Sequence, residues 1–228
     1  MSHFKQEFFE KHDEEGGSRR SLKNWSLKLV GLMAVSWSLF QLWYASPLPF
    51  ILDFGKFIDV PARAIHLAFG MSLCFLAYPI LKSNRNKPIS LLDFILSIIS
   101  VIVTFYLVID YEGLVYRQGI LAKENIFGIN IPYELIIGSF GIILLLEATR
   151  RSIGTPLVII ALIFLLFSIF GQQMPDLISH QGLSLKRLVG YHWFGGEAIF
   201  GIPISVSVSF IFLFVLFGAT LDAAGGGK

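Results

Sequence analysis

Residues 90–110, SLLDFILSIISVIVTFYLVID, decide the fold class of this chain. Only Asp93 and Asp110 are charged at neutral pH in this stretch, and each lies near one of its ends. An α-helix rises about 1.5 Å per residue, so about 20 apolar residues cross the roughly 30 Å hydrocarbon core of a bilayer. A water-soluble core does not need apolar runs of this length. The stretch therefore predicts a membrane-spanning helix.

The composition agrees with a membrane protein. The chain has 228 residues, of which 54% are hydrophobic and 15% are charged, whereas a soluble domain carries about 25% charged residues. The basic residues are scattered and form no patch, which argues against a nucleic-acid partner. The single cysteine, Cys74, cannot form an internal disulfide and is interpreted as a small buried apolar residue. We therefore expect an all-α, polytopic integral membrane protein in contact with membrane lipid.

Carrying the same criterion along the chain predicts about six membrane spans. They cover roughly residues 25–44, 64–81, 90–110, 132–145, 156–170 and 199–219. Before them, residues 1–24 are polar and lack a signal-peptide cleavage site, so we expect a solvated tail and an uncleaved first span. A tight turn is expected at Gly154, between the fourth and fifth spans.

The loop at residues 171–198 carries an amphipathic segment. Leu185, Leu188 and Val189 fall on one helical face, and Lys186 and Arg187 lie beside it. This pattern is typical of a short helix that lies in the membrane interface.

The distribution of lysine and arginine predicts the orientation. If the N-terminus is cytoplasmic, the cytoplasmic side receives twice as many lysines and arginines as the other side, as the positive-inside rule requires. Residues of this side include Arg20, Lys82, Arg85, Arg150 and Arg151. An even number of spans then places both termini in the cytoplasm.

Few ionisable residues lie in or near the spans, and each is a candidate because charge is costly in hydrocarbon. Arg63 and His66 are one turn apart at the start of the second span, where they could contact a neighbouring helix or lipid phosphate. A structural or interfacial role is favoured for this pair. Asp93 and Glu134 lie near helix N-termini, where the helix dipole stabilises a carboxylate.

Two further groups are candidate interface residues. Glu147, Arg150 and Arg151 end the fourth span, either as a stop-transfer cluster or as a docking contact to another helix; both readings stay open. Glu147 and Arg151 are four residues apart and can pair on one helix face. Ser205 and Ser209 share a face of the sixth span, which permits close helix packing or, as the less favoured alternative, an ion or substrate path.

The motifs of enzymes are not found in the sequence. Intramembrane haem usually needs two histidines on facing helices, and only His66 is near a predicted span. The sequence contains no metal-spaced His/Cys cluster, G-x-S-x-G motif or P-loop. We therefore expect no catalytic residues, no metal site and no cofactor. Two alternatives remain: an anchor subunit of a membrane enzyme, and a small homo-oligomeric channel or transporter.

From residue 141 onward the motifs become specific. They are the LEATRR block at residues 146–151, the FG-x-x-MP-x-L-x-x-H-x-G-x-S loop at 170–184, and the ending GIP…FLFVLFGA-x-L…GGG at 201–227. RAIHLAF at residues 63–69 and the spacing of Tyr111, Leu114 and Arg117 add looser matches. Together they resemble the fused membrane component of tripartite ATP-independent periplasmic (TRAP) transporters, of the TAXI type.

The resemblance implies a division of labour. Residues 25–151 resemble the four-helix small-subunit region, and residues 152–228 resemble the linker helix and first span of the large permease region. The small region enlarges a stationary scaffold, and a periplasmic binding protein delivers an organic acid. The resemblance also implies that the chain is located in a bacterial inner membrane.

Sodium drives uptake in this family, but its sites lie in hairpins of the large region that this sequence does not contain. The remaining large region is expected in the same polypeptide or in a separate chain. The substrate site is therefore unknown. The external loops, with Lys186, Trp193 and Phe194 expected to be exposed, are candidates for contact with the binding protein.

Overall fold

The computed structural model describes residues 19–23, 25–81, 86–117, 120–126 and 129–226, with only the backbone described for residues 124–126 and 129–131. Most of the tail expected at residues 1–24 lies outside these residues. The same is true of Lys82, Arg85 and Lys228, which contribute to the predicted orientation.

The described residues are predominantly helical. In chain order the helices are α1 Trp25–Ala45, α2 Leu48–Ile51, α3 Asp59–Ala77, α4 Leu91–Ile109, α5 Tyr111–Tyr116, α6 Tyr133–Ser152, α7 Thr155–Ile169, α8 Leu185–Val189, α9 Ile202–Val206 and α10 Phe212–Ala223. A 3-10 turn covers Gly171–Gln173, and π-helical turns cover Gly190–Phe194 and Ser207–Ile211. The second π turn joins α9 to α10, so that Ile202–Ala223 forms one continuous helix, which we call the C-terminal helix.

The described residues agree with the expected all-α fold, with one small β element in addition. Strands β1 Glu124–Ile126 and β2 Ile129–Ile131 form an antiparallel hairpin in which Asn125 pairs with Asn130. The hairpin lies in the connection between α5 and α6.

Among the described residues, four helices are long and apolar enough to cross a membrane, by length and composition: Trp25–Ala45, Asp59–Ala77, Leu91–Ile109 and Ile202–Ala223. The structure therefore does not confirm the six spans expected from the sequence. Helix α6 has 20 residues, but it carries acidic Glu134 near its start and Arg150 and Arg151 in its last turn. Helix α7 is highly apolar but has only 15 residues.

Helix α3 lies at the centre of the bundle. In the most apolar 18-residue stretch of α3, 67% of the residues are buried, whereas in that of the C-terminal helix only 6% are buried. Ala62, Ala64 and Ala68 are buried along α3, and such small side chains let neighbouring backbones approach closely. Helices α1, α4 and α6 all contact α3. The large side chains of Phe75, Leu107, Trp193 and Phe200 fill the remaining core.

Local signals explain where several helices begin. Ser90 caps α4, because its hydroxyl oxygen accepts a hydrogen bond of 3.1 Å from the backbone N–H of Asp93. Gly154 has φ 122°, which places the expected tight turn between α6 and α7, and Pro156 lies in the first turn of α7. The turn at Gly154 lets α6 and α7 pack side by side.

The segment after α7 folds back onto the bundle. The imidazole Nε2 of His180 lies 3.1 Å from the Phe167 carbonyl oxygen, and its Nδ1 accepts a hydrogen bond of 3.1 Å from the Gly182 backbone N–H. Because Nδ1 is an acceptor, Nε2 carries the proton and donates it to Phe167. The ring covers Gly171, where any Cβ atom would clash with it. The loop is thereby fastened to the end of α7.

Candidate functional site

At one end of the bundle, charged side chains join three segments of the chain. We call Arg20, Asp93, Glu147, Arg150 and Arg151 the Asp93 cluster. Asp93, 1% exposed, accepts hydrogen bonds from Arg20 Nη2 at 2.5 Å and from Arg151 Nη1 at 2.6 Å. Glu147 binds Arg151 Nε at 2.7 Å and Arg150 Nε at 2.7 Å. The pair of Glu147 and Arg151 suggested by their spacing is therefore formed.

The arginines of the Asp93 cluster also bind the C-terminal end of α3. Arg151 Nη1 donates to the Tyr78 carbonyl oxygen at 3.2 Å, and Arg20 Nη1 donates to that of Leu76 at 3.4 Å. These carbonyls belong to the last turn of a helix, where no intrahelical N–H remains to satisfy them. The Arg151 guanidinium also lies 5.0 Å from the centroid of the Phe75 ring.

Arg20 corrects the expectation of a solvated tail. Its side chain is buried, and its backbone N–H donates a hydrogen bond of 2.7 Å to the Ala77 carbonyl oxygen. The helix dipole alone likewise does not explain the position of Asp93, because its carboxylate bridges two arginines from distant parts of the sequence. The signal that could have indicated this role was the cost of an unpaired carboxylate inside an apolar span.

A second group of charges lies at the opposite end of α4 and α6. We call Tyr106, Asp110, Arg117 and Glu134 the Glu134 cluster. The Tyr106 hydroxyl donates to Glu134 Oε1 at 2.7 Å. The Arg117 guanidinium binds both Glu134 and, at 2.7 Å, Asp110 Oδ2, and the backbone N–H of Ala122 also donates to Glu134. The hydrogen bond to Asp110 and the nearby charge of Glu134 raise the pKa of Arg117 above its ordinary value.

Replacing Tyr106 by phenylalanine tests the Glu134 cluster. The change removes the hydroxyl that donates to the fully buried Glu134, so we expect the free energy of unfolding to fall by about 1 kcal/mol. Tyr116→Phe is the matched control, because Tyr116 is 90% exposed. Denaturant titration in detergent micelles measures both; equal effects of the two substitutions would contradict the assignment.

A third polar group lies between α1, α3 and the C-terminal helix. We call Trp37, Gln41, His66 and Ser207 the His66 cluster. Trp37 Nε1 lies 3.2 Å and Gln41 Nε2 lies 2.7 Å from His66 Nδ1, and Ser207 Oγ lies 3.1 Å from His66 Nε2. The indole can only donate, so Nδ1 accepts and Nε2–H donates to Ser207. His66 is therefore a neutral imidazole that links three helices.

The His66 cluster involves a different serine from the predicted ones. Ser209 Oγ donates to the Ser205 carbonyl oxygen at 2.8 Å within its own helix, whereas Ser207 contacts His66. Gln41 Nε2 reaches the Val208 carbonyl oxygen at 3.4 Å. Ser207 and Val208 lie in the π-helical turn, which changes the residues per turn and so the face that meets α3. Regular helical spacing could not show this.

Arg63 forms a polar contact outside its own helix, with the segment before the C-terminal helix. Its Nη1 donates a hydrogen bond of 2.9 Å to the Phe200 carbonyl oxygen, and its Nη2 lies 3.6 Å from Asp59 Oδ2. It thus joins the first turns of α3 to the segment that precedes the C-terminal helix.

The expected exposure of Trp193 and Phe194 is wrong. Trp193 is 0% exposed and Phe194 is buried, whereas Lys186 is exposed as expected. The two aromatic rings pack on α6 at Gly141 and Gly138, where no side chain competes for the space. The helix α8 forms where the amphipathic pattern predicts it; Leu188 and Val189 are buried, but Leu185 is 56% exposed. Two small residues three apart on α6 were the signal that sequence reasoning overlooked.

Among the described residues, no group of three or more His, Cys, Asp or Glu side chains could hold a metal ion. Comparisons of the chain with protein-family models, with curated proteins and with solved structures find no match. The functional conclusion therefore depends on the motifs and on the geometry of the three polar clusters.

Proposed function

We propose that this chain is the scaffold part of a secondary, sodium-coupled TRAP permease of the TAXI type. The complete permease would import organic acids delivered by a periplasmic binding protein. The chain alone would not be transport-competent, because the sodium and substrate sites belong to the remaining large permease region. The motifs at residues 146–151, 170–184 and 201–227 support this proposal.

One structural observation carries the scaffold role. Buried charge clusters fasten α4 to α6 at both ends, through Asp93 and Arg151 at one end and through Tyr106, Arg117 and Glu134 at the other. Separating one partner from a buried ion pair costs about 3–5 kcal/mol. A body joined in this way suits the stationary wall of a transporter better than an element that slides during each cycle.

The proposal includes six spans, with both termini in the cytoplasm of a bacterial cell. Helices α6 and α7 would cross as an antiparallel hairpin, with the charged ends of α6 in the two interfaces. Arg20, Arg150 and Arg151, all predicted to be cytoplasmic, meet in the Asp93 cluster. The Glu134 cluster would then face the periplasm.

The same arrangement suggests where partners bind. The C-terminal helix is largely uncovered and would contact lipid and the large permease region. Because Trp193 and Phe194 are buried, the exposed part of the loop before α8, including Leu177 and Ile178, is the better candidate for contact with the binding protein.

Reconstitution tests the proposed function. Proteoliposomes that contain this chain alone, supplied with a TAXI-type binding protein and an organic acid, are expected to show no uptake when a sodium gradient is imposed. Adding the large permease region is expected to produce uptake that disappears when potassium replaces sodium. Sodium-dependent uptake by the isolated chain would show that it is a complete transporter and would contradict the scaffold role.

A further inference from the structure

A cavity of about 770 Å³ opens beside α8. Its wall includes Ile120, Leu183, Lys186, Arg187, Tyr191 and Gly195. Residues 185–194 contribute the exposed side chains of Lys186, Arg187 and Tyr191 to this wall, whereas Val189 and Trp193 of the same segment are buried in the core. The cavity is thus separate from all three polar clusters.

The depth of this segment follows from its contacts with α6. Val189 and Phe194 pack at Gly138, and Trp193 packs at Gly141. Since α6 begins at Tyr133, these contacts lie about 8 Å and about 12 Å along the helix axis from its first residue. Amphipathic helices in membrane interfaces bury their apolar face about 5–10 Å into the boundary between headgroups and acyl chains. Residues 185–194 therefore lie at the level of this boundary if α6 begins at the membrane surface.

The chemistry of the cavity matches one class of ligand. Lys186 and Arg187 are adjacent and exposed, and neither side chain forms an ion pair with another described residue. Leu185 and Tyr191 are 56% and 55% exposed beside them. Lysine binds phosphate as a point charge and arginine binds it with two parallel hydrogen bonds, while the apolar wall suits an acyl chain.

We propose that this cavity binds an anionic phospholipid. Its phosphate would contact Lys186 and Arg187, and an acyl chain would lie along Ile120, Leu183 and Tyr191. A water-soluble binding protein is the competing occupant, but the depth of the segment and its exposed apolar side chains favour lipid. The site rests on the membrane topology of the proposed function, in which α6 begins at the membrane surface, but it does not depend on transport activity.

Native mass spectrometry of the delipidated full chain in detergent tests the site. We expect dioleoylphosphatidylglycerol to bind more tightly than dioleoylphosphatidylcholine. The double substitution Lys186→Ala/Arg187→Ala is expected to weaken phosphatidylglycerol binding about twenty-five-fold, since each basic residue near an anionic membrane surface contributes about fivefold. Phosphatidylcholine binding should stay unchanged, and Lys186→Arg/Arg187→Lys should keep the preference.

The matched control is Lys28→Ala/Lys87→Ala, which removes the same charge from two exposed lysines of other elements. Phosphatidylglycerol binding is expected to change by less than about twofold. An equal loss in this control would show that only net charge matters and would overturn the site, as would full binding by Lys186→Ala/Arg187→Ala.

Two more outcomes would also overturn it. Glycerol 3-phosphate that displaces the lipid at equal concentration would indicate a site for phosphate alone. If Lys186→Ala/Arg187→Ala abolished crosslinking to the binding protein but left lipid binding intact, the surface would be a protein docking site.

Discussion

Replacing Asp93 by asparagine is expected to lower the free energy of unfolding by about 3–5 kcal/mol, because it removes the common counter-charge of two buried arginines. Arg20 and Arg151 bind the two oxygens of this carboxylate at 2.5 Å and 2.6 Å, and the Asp93 and Arg151 side chains are 1% and 0% exposed. Asparagine keeps the shape of the side chain, so the loss reports the charge. Arg151 would retain Glu147, but Arg20 would lose its carboxylate partner.

The measurement is a titration of the purified chain from dodecyl maltoside into sodium dodecyl sulfate, followed by circular dichroism. Asp53→Asn is the matched control, because the ion pair of Asp53 with Lys56 is exposed and such pairs contribute about 0–1 kcal/mol. Asp53 has φ 52°, a conformation that asparagine also tolerates. Similar losses for the two variants would show that the Asp93 cluster does not hold the bundle together.

A double-substitution cycle separates the pair from its surroundings. Arg20→Gln alone leaves Asp93 with Arg151, and combining it with Asp93→Asn removes both partners of one contact. We expect the two changes to be less than additive, by about 1 kcal/mol or more, as for residues in one hydrogen-bonded network. Strict additivity would mean that Arg20 and Asp93 act independently.

The sequence predicts the helices well because hydropathy is a local property. Residues 90–110 are long enough and apolar enough to indicate α4, and Gly154 indicates the turn between α6 and α7. The number of spans is harder to predict, because α6 has charged residues at both ends and α7 has only 15 residues. Hydropathy alone does not show whether such helices cross the bilayer.

The polar clusters could be predicted only in part, because their members are far apart in the sequence. The spacing of Glu147 and Arg151 places them on one helix face, but Arg20 and Asp93 are 73 residues apart. No periodicity connects them. The contact between His66 and Ser207 depends in addition on a π-helical turn, which the pattern of apolar residues does not reveal.

Replacing Gly141 by alanine is the sharpest test of the way residues 185–194 pack on α6. A Cβ atom at this position would clash with the ring of Trp193, which is fully buried and cannot move outward. Overpacking of a close-packed core typically costs 1–3 kcal/mol, so we expect a loss of about 3 kcal/mol at this rigid contact. The titration in dodecyl maltoside and sodium dodecyl sulfate measures it.

Gly31→Ala is the matched control, since Gly31 also lies inside a helix but a Cβ atom there would have no neighbour within 4 Å. We expect a change of less than about 1 kcal/mol, in the stabilising direction that alanine has over glycine in helices.

The second substitution Trp193→Phe provides the rescue, because the smaller ring leaves room for the new methyl group. The double variant Gly141→Ala/Trp193→Phe should therefore be more stable than the sum of the single effects predicts. Equal effects of Gly141→Ala and Gly31→Ala would place Trp193 away from α6 and would remove the depth argument for the lipid site, since that argument depends on this contact.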